Sequence, residues 1–241
     1  MHLLDKKDIH LTPIFVVAST GLQLILLLLS LMQTVQTGKI AFQGTPTLVE
    51  LQDGSTARTA PSGHNERTPY AITNFVGRTV VGLMDWNGTL PPQNAEQAKN
   101  PLPDPGVAVG ERQIATVARD AAFALSEDFR GSFLKELASL TPQDVFQQSG
   151  TQSSLIVRQI SEPEAIGVGS GKWKVNLIAN LIIFLNGDSV GKAIPFNKTI
   201  YVRAIDTPPL PPGALSLQLA AYRARRDCLE IYQIQDLNLS N

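Results

Sequence analysis

Cysteine and histidine are scarce in this sequence of 241 residues, and their scarcity excludes several kinds of chemistry. The single cysteine, Cys228, excludes an intrachain disulfide framework and any paired-cysteine metal or redox motif. The three histidines, His2, His10 and His64, all lie in the first 64 residues. The rest of the chain therefore lacks an imidazole for a Ser-His-Asp triad, a Cys-His pair or a histidine zinc site. We predict a protein that is not an enzyme and holds no metal or cofactor.

An excess of charge of one sign is also missing. The chain has 20 Lys+Arg against 21 Asp+Glu, and only 17% of its residues are charged. A net charge of −1 provides no basic field to attract nucleic acid, so we expect no dedicated nucleic-acid site. The 43% hydrophobic content is too high for a disordered chain.

One long stretch, from Leu11 to Gly38, has no charged residue. Its most apolar part, residues 13–32, would form a helix about 30 Å long, which matches the hydrocarbon thickness of a bilayer. We predict a single transmembrane helix at residues 13–35. A cleaved signal peptide and a buried core helix are the alternatives, but the run is longer than a typical signal core.

The lysines around this run predict its orientation. Lys6 and Lys7 precede it and only Lys39 follows it closely, which favours a cytoplasmic N-terminal tail at residues 1–12. We therefore expect a single-pass protein of the bacterial inner membrane whose C-terminal domain is periplasmic. Residues 36–68 mix Gly, Pro, Ser, Thr and charges without a period, and we predict a flexible tether there.

The first half of the remaining domain, residues 69–241, has helical patterns. Thr68-Pro69 is typical of a helix start, and apolar residues follow at spacings of three or four up to Leu83. A second helical block is predicted over residues 110–140, with a possible break at Ser126. A third, short helix is predicted after Thr141.

The second half has the alternating pattern of strands. The clearest run is Lys172 to Phe184, in which Trp173, Val175, Leu177, Ala179, Leu181 and Ile183 share one face. Shorter runs cover residues 155–160, 196–205 and 229–237. The segment 215–226 fits a helix or a loop. We predict an α+β domain in which a curved antiparallel sheet packs its apolar face on the helices.

One segment is a candidate contact site for a partner. Tyr222, Arg223, Arg225 and Arg226 lie close together and could bind a phosphate, a lipid headgroup or a carboxylate of a partner protein. A solvated surface segment is the alternative.

Four stretches of the domain carry a family resemblance. They are residues 128–134 (DFRGSFL) with Leu137, residues 171–175 (GKWKV), residues 198–203 (KTIYVR) and residues 228–234 (CLEIYQI). They resemble the bitopic inner-membrane components of bacterial type IV secretion and conjugation machines, in particular the group named DotI, IcmL or TraM. The resemblance implies a periplasmic domain with a nuclear transport factor 2-like fold. In one place the chain differs, since Arg225-Arg226-Asp227-Cys228 stands where family members often have Asn-Pro-x-Gly.

The resemblance also implies a function. We expect a membrane-anchored, non-enzymatic scaffold whose domains self-associate and contact other secretion-channel subunits. The alternative is a membrane-tethered small-ligand-binding or isomerase-like protein, because the same cone-shaped fold encloses ligands elsewhere. The bulky inward residues predicted for the long strand favour a filled sheet over a ligand cavity.

Overall fold

The computed structural model describes residues 11–42, 47–50, 56–59, 63–147, 150–186, 188–206 and 213–237. These residues belong to two compact units, Met1–Ser62 and Gly63–Asn241. Most of the predicted cytoplasmic tail, residues 1–10, and the proline-rich corner at residues 208–212 lie outside the described residues.

The described residues of the first unit form one long helix and one strand pair. Helix α1 spans Leu11–Phe42 and is longer than the predicted helix at both ends. Strands β1 (Thr47–Glu50) and β2 (Thr56–Thr59) pair antiparallel within the segment predicted as a tether.

The predicted transmembrane helix needs correction. Among the residues that the structure describes, no helix has both the length and the hydropathy needed to cross a membrane. The helix itself forms, over Leu11–Phe42. The prediction of a membrane-spanning segment at residues 13–35 is therefore wrong.

In the second unit, helix α2 (Pro69–Met84) begins where the sequence predicts it. Thr68 Oγ1 accepts the N–H of Ala71 at 3.2 Å, and Pro69 occupies the first helical position, where no N–H is needed. The predicted apolar positions form its buried face. They are Ile72, Phe75, Val76, Val80 and Leu83.

The chain after α2 differs from the predicted helix over residues 110–140. Gly110 has a φ of 64°, which glycine adopts at little cost, and it turns the chain between two short strands. These strands are β3 (Val107–Val109) and β4 (Arg112–Ile114). The other helices are α3 (Ala95–Lys99), α4 (Thr116–Ala121), α5 (Glu127–Leu140) and α6 (Ser216–Arg225).

Helix α5 begins after Ser126, which confirms the predicted break. The third helix predicted after Thr141 is a short 3-10 turn, Gln143–Phe146. Segment 215–226, which the sequence left open, contains α6.

The main sheet has five antiparallel strands in the order β5-β7-β8-β9, and β6 also lies beside β7. Their bounds are β5 (Gln152–Ile160), β6 (Glu164–Ala165), β7 (Lys172–Phe184), β8 (Lys192–Ala204) and β9 (Leu229–Asp236). The α+β organisation is thus confirmed.

The predicted curved sheet is wrong, because the described sheet is open. Ser153 of β5 exchanges backbone hydrogen bonds with Trp86 at 2.8 and 3.1 Å. On the other edge, the N–H of Ser126 donates to the carbonyl of Ile231 in β9 at 2.8 Å. Residues from the helical half of the domain therefore pair with part of each edge strand. In a closed sheet the two edge strands would pair with each other instead.

The core lies between the helices and one face of this sheet. On β7 it receives Val175, Leu177, Ala179 and Leu181, the face predicted from the alternation. Trp86, which follows α2, is 2% exposed, and its Nε1 donates to the carbonyl of Leu83 at 2.9 Å. Trp173, predicted as a large buried anchor, is only partly buried and packs at the margin of the core.

Candidate functional site

The predicted contact segment lies on α6 and in the turn that follows it. The side chain of Gln218 accepts the N–H of Leu215 at 2.9 Å and so satisfies a donor at the start of the helix. The helix brings Tyr222 and Arg223 to the surface but turns Arg225 toward the protein. The four candidate residues therefore do not form one continuous surface.

Arg225 is held by three groups of the fold. Its Nε donates to the carbonyl of Phe123 at 2.8 Å, and its Nη2 donates to the carbonyl of Leu125 at 3.2 Å. Nη2 also lies 3.0 Å from Oε2 of Glu230. These contacts fasten α6 to the turn before α5 and to β9.

Glu230 is a buried carboxylate between two guanidinium groups. Its residue exposure is 5%, and its second oxygen, Oε1, accepts from Nε and Nη2 of Arg203, each at 2.6 Å. A buried charge is tolerated only where such partners satisfy it. Both carboxylate oxygens are thus bound by arginines, and the cluster links α6, β8 and β9.

Arg203 also contacts an aromatic ring and a second carboxylate. Its guanidinium carbon lies 5.6 Å from the ring centroid of Tyr232, and Nη2 lies 3.8 Å from Asp128. Burial raises the pKa of Tyr232, and the neighbouring Tyr201 raises it further. The phenol of Tyr232 therefore stays neutral at physiological pH.

The remaining candidate residues are accessible. Tyr222 is 37% exposed, and Arg226 has a weak ion pair with the adjacent Asp227 at 3.8 Å. Arg223 lines an open cleft of about 320 Å³ between α2, α4 and α6, together with Arg78 and Asp120. Their role as partner contacts stays a prediction.

Asp120 in that cleft has a raised pKa. Partial burial is the main cause, and Arg119, whose Nε lies 2.7 Å from the carboxylate, opposes it. Arg78 is paired with Asp227 at 2.6 Å. The charged side chains of the cleft are thus mostly bound to neighbours of their own fold.

The inner face of the sheet is filled by side chains. Val175, Leu177, Ile200 and Val202 have no measurable exposure, and Phe75 of α2 packs among them, equally buried. The described residues include no group of three or more His, Cys, Asp or Glu side chains that could hold a metal ion.

A second surface feature, missed at the level of sequence, is an apolar groove beside α5. We call it the α5 groove. Its cavity volume is about 210 Å³, and its walls come from α2, α5, β8 and β9. The lining residues are Phe129, Phe133, Glu136, Leu137 and Leu140 of α5, Val80, Leu83 and Met84 of α2, Phe196, Lys198 and Ile200 of β8, and Ile234, Gln235 and Asp236 of β9. The only sequence signal for it is the apolar stripe of α5, which continues to Leu140 at the end of the helix.

Comparisons with known proteins add one structural likeness. No protein-family model matches this sequence, and no curated protein is similar to it. The crystal structure of the soluble domain of TrwG, from the type IV secretion machinery of Bartonella grahamii, is similar over 73% of this chain and 100% of that chain. The TM-score is 0.41 and the sequence identity is 9%. A likeness of this size assigns neither a family nor an activity to the chain.

Proposed function

We propose that this chain is a non-enzymatic scaffold, an assembly component of a type IV secretion or conjugation channel. The four sequence stretches that resemble such components support the channel assignment. The observation that supports a scaffold is the filled inner face of the sheet. Val175, Leu177, Ile200 and Val202 occupy the space where a substrate would have to bind.

The buried charges support the same proposal. In the described residues, the buried acidic side chains are Asp104 and Glu230. Asp104 accepts the N–H of Thr116 at 2.7 Å and the N–H of Gly106 at 2.9 Å, and Glu230 is held by two arginines. Both carboxylates therefore stabilise the fold. An acid or base catalyst would instead face a cavity with room for substrate. Asp120 does face the cleft between α2, α4 and α6, but its carboxylate is paired with Arg119 at 2.7 Å.

The volume of the α5 groove argues against a small ligand in this groove. Pockets for small molecules and cofactors have volumes of roughly 300–1,000 Å³. The groove encloses only about 210 Å³. Its lining is mostly apolar and its charged groups lie at the rim, so it resembles a site for side chains of another protein.

The proposal is tested by genetic complementation in a bacterium that carries this chain. Deletion of the gene is expected to abolish transfer of DNA or protein by the secretion system, and the full-length chain is expected to restore it. A matched variant, Glu162→Gln, changes an exposed side chain away from the α5 groove and from α6, and should also restore transfer. Normal transfer in the deletion strain would overturn the proposal.

A further inference from the structure

One edge of the main sheet is covered over only part of its length. This edge is strand β9, which pairs with β8 on its other side. The N–H of Ser126 donates to the carbonyl of Ile231, and Leu125 lies beside the same residue. From Gln233 to Asp236, no residue in the described part of the chain pairs with this edge. A strand with unpaired backbone groups is a template for a further strand.

The register of β9 identifies the backbone groups that are free. The N–H of Leu237 donates to the carbonyl of Asn197 in β8 at 3.0 Å. In an antiparallel pair only every second residue of a strand bonds to its neighbour, so Gln235 also directs its backbone groups to β8. The N–H and C=O groups of Ile234 and Asp236 therefore point away from β8, toward the free edge.

The α5 groove lies directly beside these free groups, because Ile234 and Asp236 are among its lining residues. On the wall formed by α5, the rings of Phe129 and Phe133 pack with centroids 5.5 Å apart, and Leu140 is 61% exposed. The volume of about 210 Å³ corresponds to roughly seven water molecules at about 30 Å³ each, which is room for one or two apolar side chains. The side chains of a strand point alternately to the two faces of a sheet. A strand added to β9 would therefore direct every second side chain into the groove.

The free backbone groups determine which conformation of a partner fits. Any apolar partner that fills the groove also removes water from the N–H and C=O groups of Ile234 and Asp236. A helix bonds its own backbone groups internally, so it would leave these groups without a partner, at a cost comparable to the loss of a hydrogen bond for each. An extended segment can bond to them and still place apolar side chains in the groove. The edge therefore fits an extended segment better than a helix.

A second β9 strand is a poor occupant of this edge. If two copies pair antiparallel so that their free groups meet, Asp236 of one copy comes opposite Ile234, Asp236 or Tyr232 of the other. Opposite Ile234, its carboxylate enters the apolar groove, and opposite Asp236, two like charges face each other. Opposite Tyr232, the added strand continues toward Ile231, whose carbonyl already accepts from Ser126. These conflicts favour a segment of a different protein.

We propose that the free edge of β9, from Gln233 to Asp236, takes up an extended segment of a different protein, whose alternate apolar side chains enter the α5 groove. The segment forms backbone hydrogen bonds with Ile234 and Asp236, and it is short because Ser126 occupies the edge at Ile231. This inference rests on the proposed scaffold function, under which the segment belongs to another channel subunit. The candidate contact residues on α6 then lie outside the principal binding surface.

Two variants at position 236 test the backbone contact. Asp236→Pro removes the outward N–H, and proline is tolerated on an edge strand where the missing N–H faces away from the sheet. Asp236→Ala keeps this N–H, and both variants lose the ion pair with Lys198. A loss of binding in the proline variant alone therefore reports the backbone contact. Urea unfolding verifies that both variants keep the fold.

Binding is measured with a photoreactive phenylalanine analogue at position 140 of the full-length chain, in living cells that assemble the channel. We expect a crosslink to a different channel subunit, in a segment with apolar residues at every second position. Asp236→Pro should reduce this crosslink several-fold, and Asp236→Ala should leave it nearly unchanged. The control places the analogue at position 70, where no such crosslink should form, because Tyr70 is 78% exposed and does not line the groove.

Amide hydrogen exchange is a second measurement, which needs no substitution in β9 and decides the matter if Asp236→Pro unfolds. The N–H groups of Ile234 and Asp236 should exchange fast in the free full-length chain and slowly in the crosslinked complex. The N–H of Gln235, which is bonded to β8, should exchange slowly in both.

Several results would overturn the inference. They are a crosslinked segment with apolar residues at helical spacing, crosslinks only between two copies, equal crosslinks from positions 140 and 70, equal losses in the two variants, and unchanged exchange at Ile234 and Asp236.

The same strains separate this inference from the proposed function. If transfer depends on the chain but position 140 crosslinks to no other subunit, the assignment of the β9 edge fails and the scaffold function stands. If transfer does not depend on the chain, the scaffold function fails regardless of any crosslink.

Discussion

Nη2 of Arg225, at the end of α6, lies 3.0 Å from Oε2 of Glu230, the second residue of β9. This ion pair joins two elements that are consecutive in the chain but are held apart by a turn at residues 226–228. Arg203 of β8 binds the other oxygen of the same carboxylate. A residue that was a candidate for contact with a partner thus stabilises the fold.

The first prediction concerns this pair. Arg225→Ala removes one of the two cations of Glu230 and a donor to the carbonyls of Phe123 and Leu125. We expect the free energy of unfolding to fall by about 2–4 kcal/mol, because a buried charge loses a partner. Arg223→Ala, which alters an exposed arginine of the same helix, should change it by less than about 0.5 kcal/mol.

Urea unfolding followed by tryptophan fluorescence measures both variants. Both tryptophans of the chain, Trp86 and Trp173, lie in the unit Gly63–Asn241, so the signal reports on that unit. Equal, small decreases in the free energy of unfolding for the two variants would contradict the structural role of Arg225.

The second prediction concerns Gly88. Its φ of 69° is unfavourable for a residue with a side chain, and a Cβ there would overlap the carbonyl oxygen of Val145. Gly88→Ala should therefore destabilise the protein by more than about 1 kcal/mol, since positive φ alone costs about this much. Gly169 also has a positive φ, of 67°, but open space around it, so Gly169→Ala measures the cost of the positive φ alone and the difference between the two variants gives the steric part. Similar midpoints for the two variants in urea would show that Val145 can move away.

The third prediction compares the two tryptophans. Trp86 is 2% exposed and its ring N–H is hydrogen-bonded, whereas Trp173 is only partly buried. Trp86→Phe should cost more stability than Trp173→Phe, because it leaves both a cavity and an unpaired carbonyl in the core. Thermal unfolding followed by circular dichroism measures the melting temperature of each variant. A larger decrease for Trp173→Phe than for Trp86→Phe would contradict the prediction.

The fourth prediction concerns acid stability. The hydroxyl and the N–H of Thr151 donate to the carboxylate of Asp144 at 2.7 and 3.1 Å, and they hold the pKa of Asp144 below its usual range. A carboxyl with a depressed pKa in the folded state is stabilising above its unfolded pKa of about 3.9. That stabilisation disappears as the pH falls through the lower, folded pKa.

Asp144→Asn should therefore lower the free energy of unfolding at pH 7. The free energy of unfolding of the variant should also fall less steeply below pH 5, because the variant lacks the carboxyl group that takes up a proton on unfolding. Urea unfolding at a series of pH values measures this slope. An unchanged slope in the variant would show that Thr151 does not perturb Asp144.

Local signals in the sequence predicted the elements that depend on local chemistry. Thr68-Pro69 and the apolar spacing after it predicted α2, and the alternation from Trp173 to Ile183 predicted the buried face of β7. The start of α4 was predicted too early, because Gly110 was treated as the beginning of a helix and not as the turn of a short hairpin.

Contacts between distant residues could not be predicted in this way. Arg203 and Glu230 are 27 positions apart, and Arg225 contacts Phe123 across 102 positions. Nothing local marked Glu230 as buried, because a polar residue between Leu229 and Ile231 fits a strand with one face in water. The α5 groove could not be predicted either, because its walls come from four separate elements.

A chain that works by binding other subunits of a secretion channel should be recovered together with them. The most direct test is purification of the full-length chain from a bacterium in which the channel is assembled, followed by mass determination of the native complex. We expect a stoichiometric complex that contains other channel subunits. A chain that is recovered alone, with a small molecule bound, would contradict the scaffold function and favour the ligand-binding alternative.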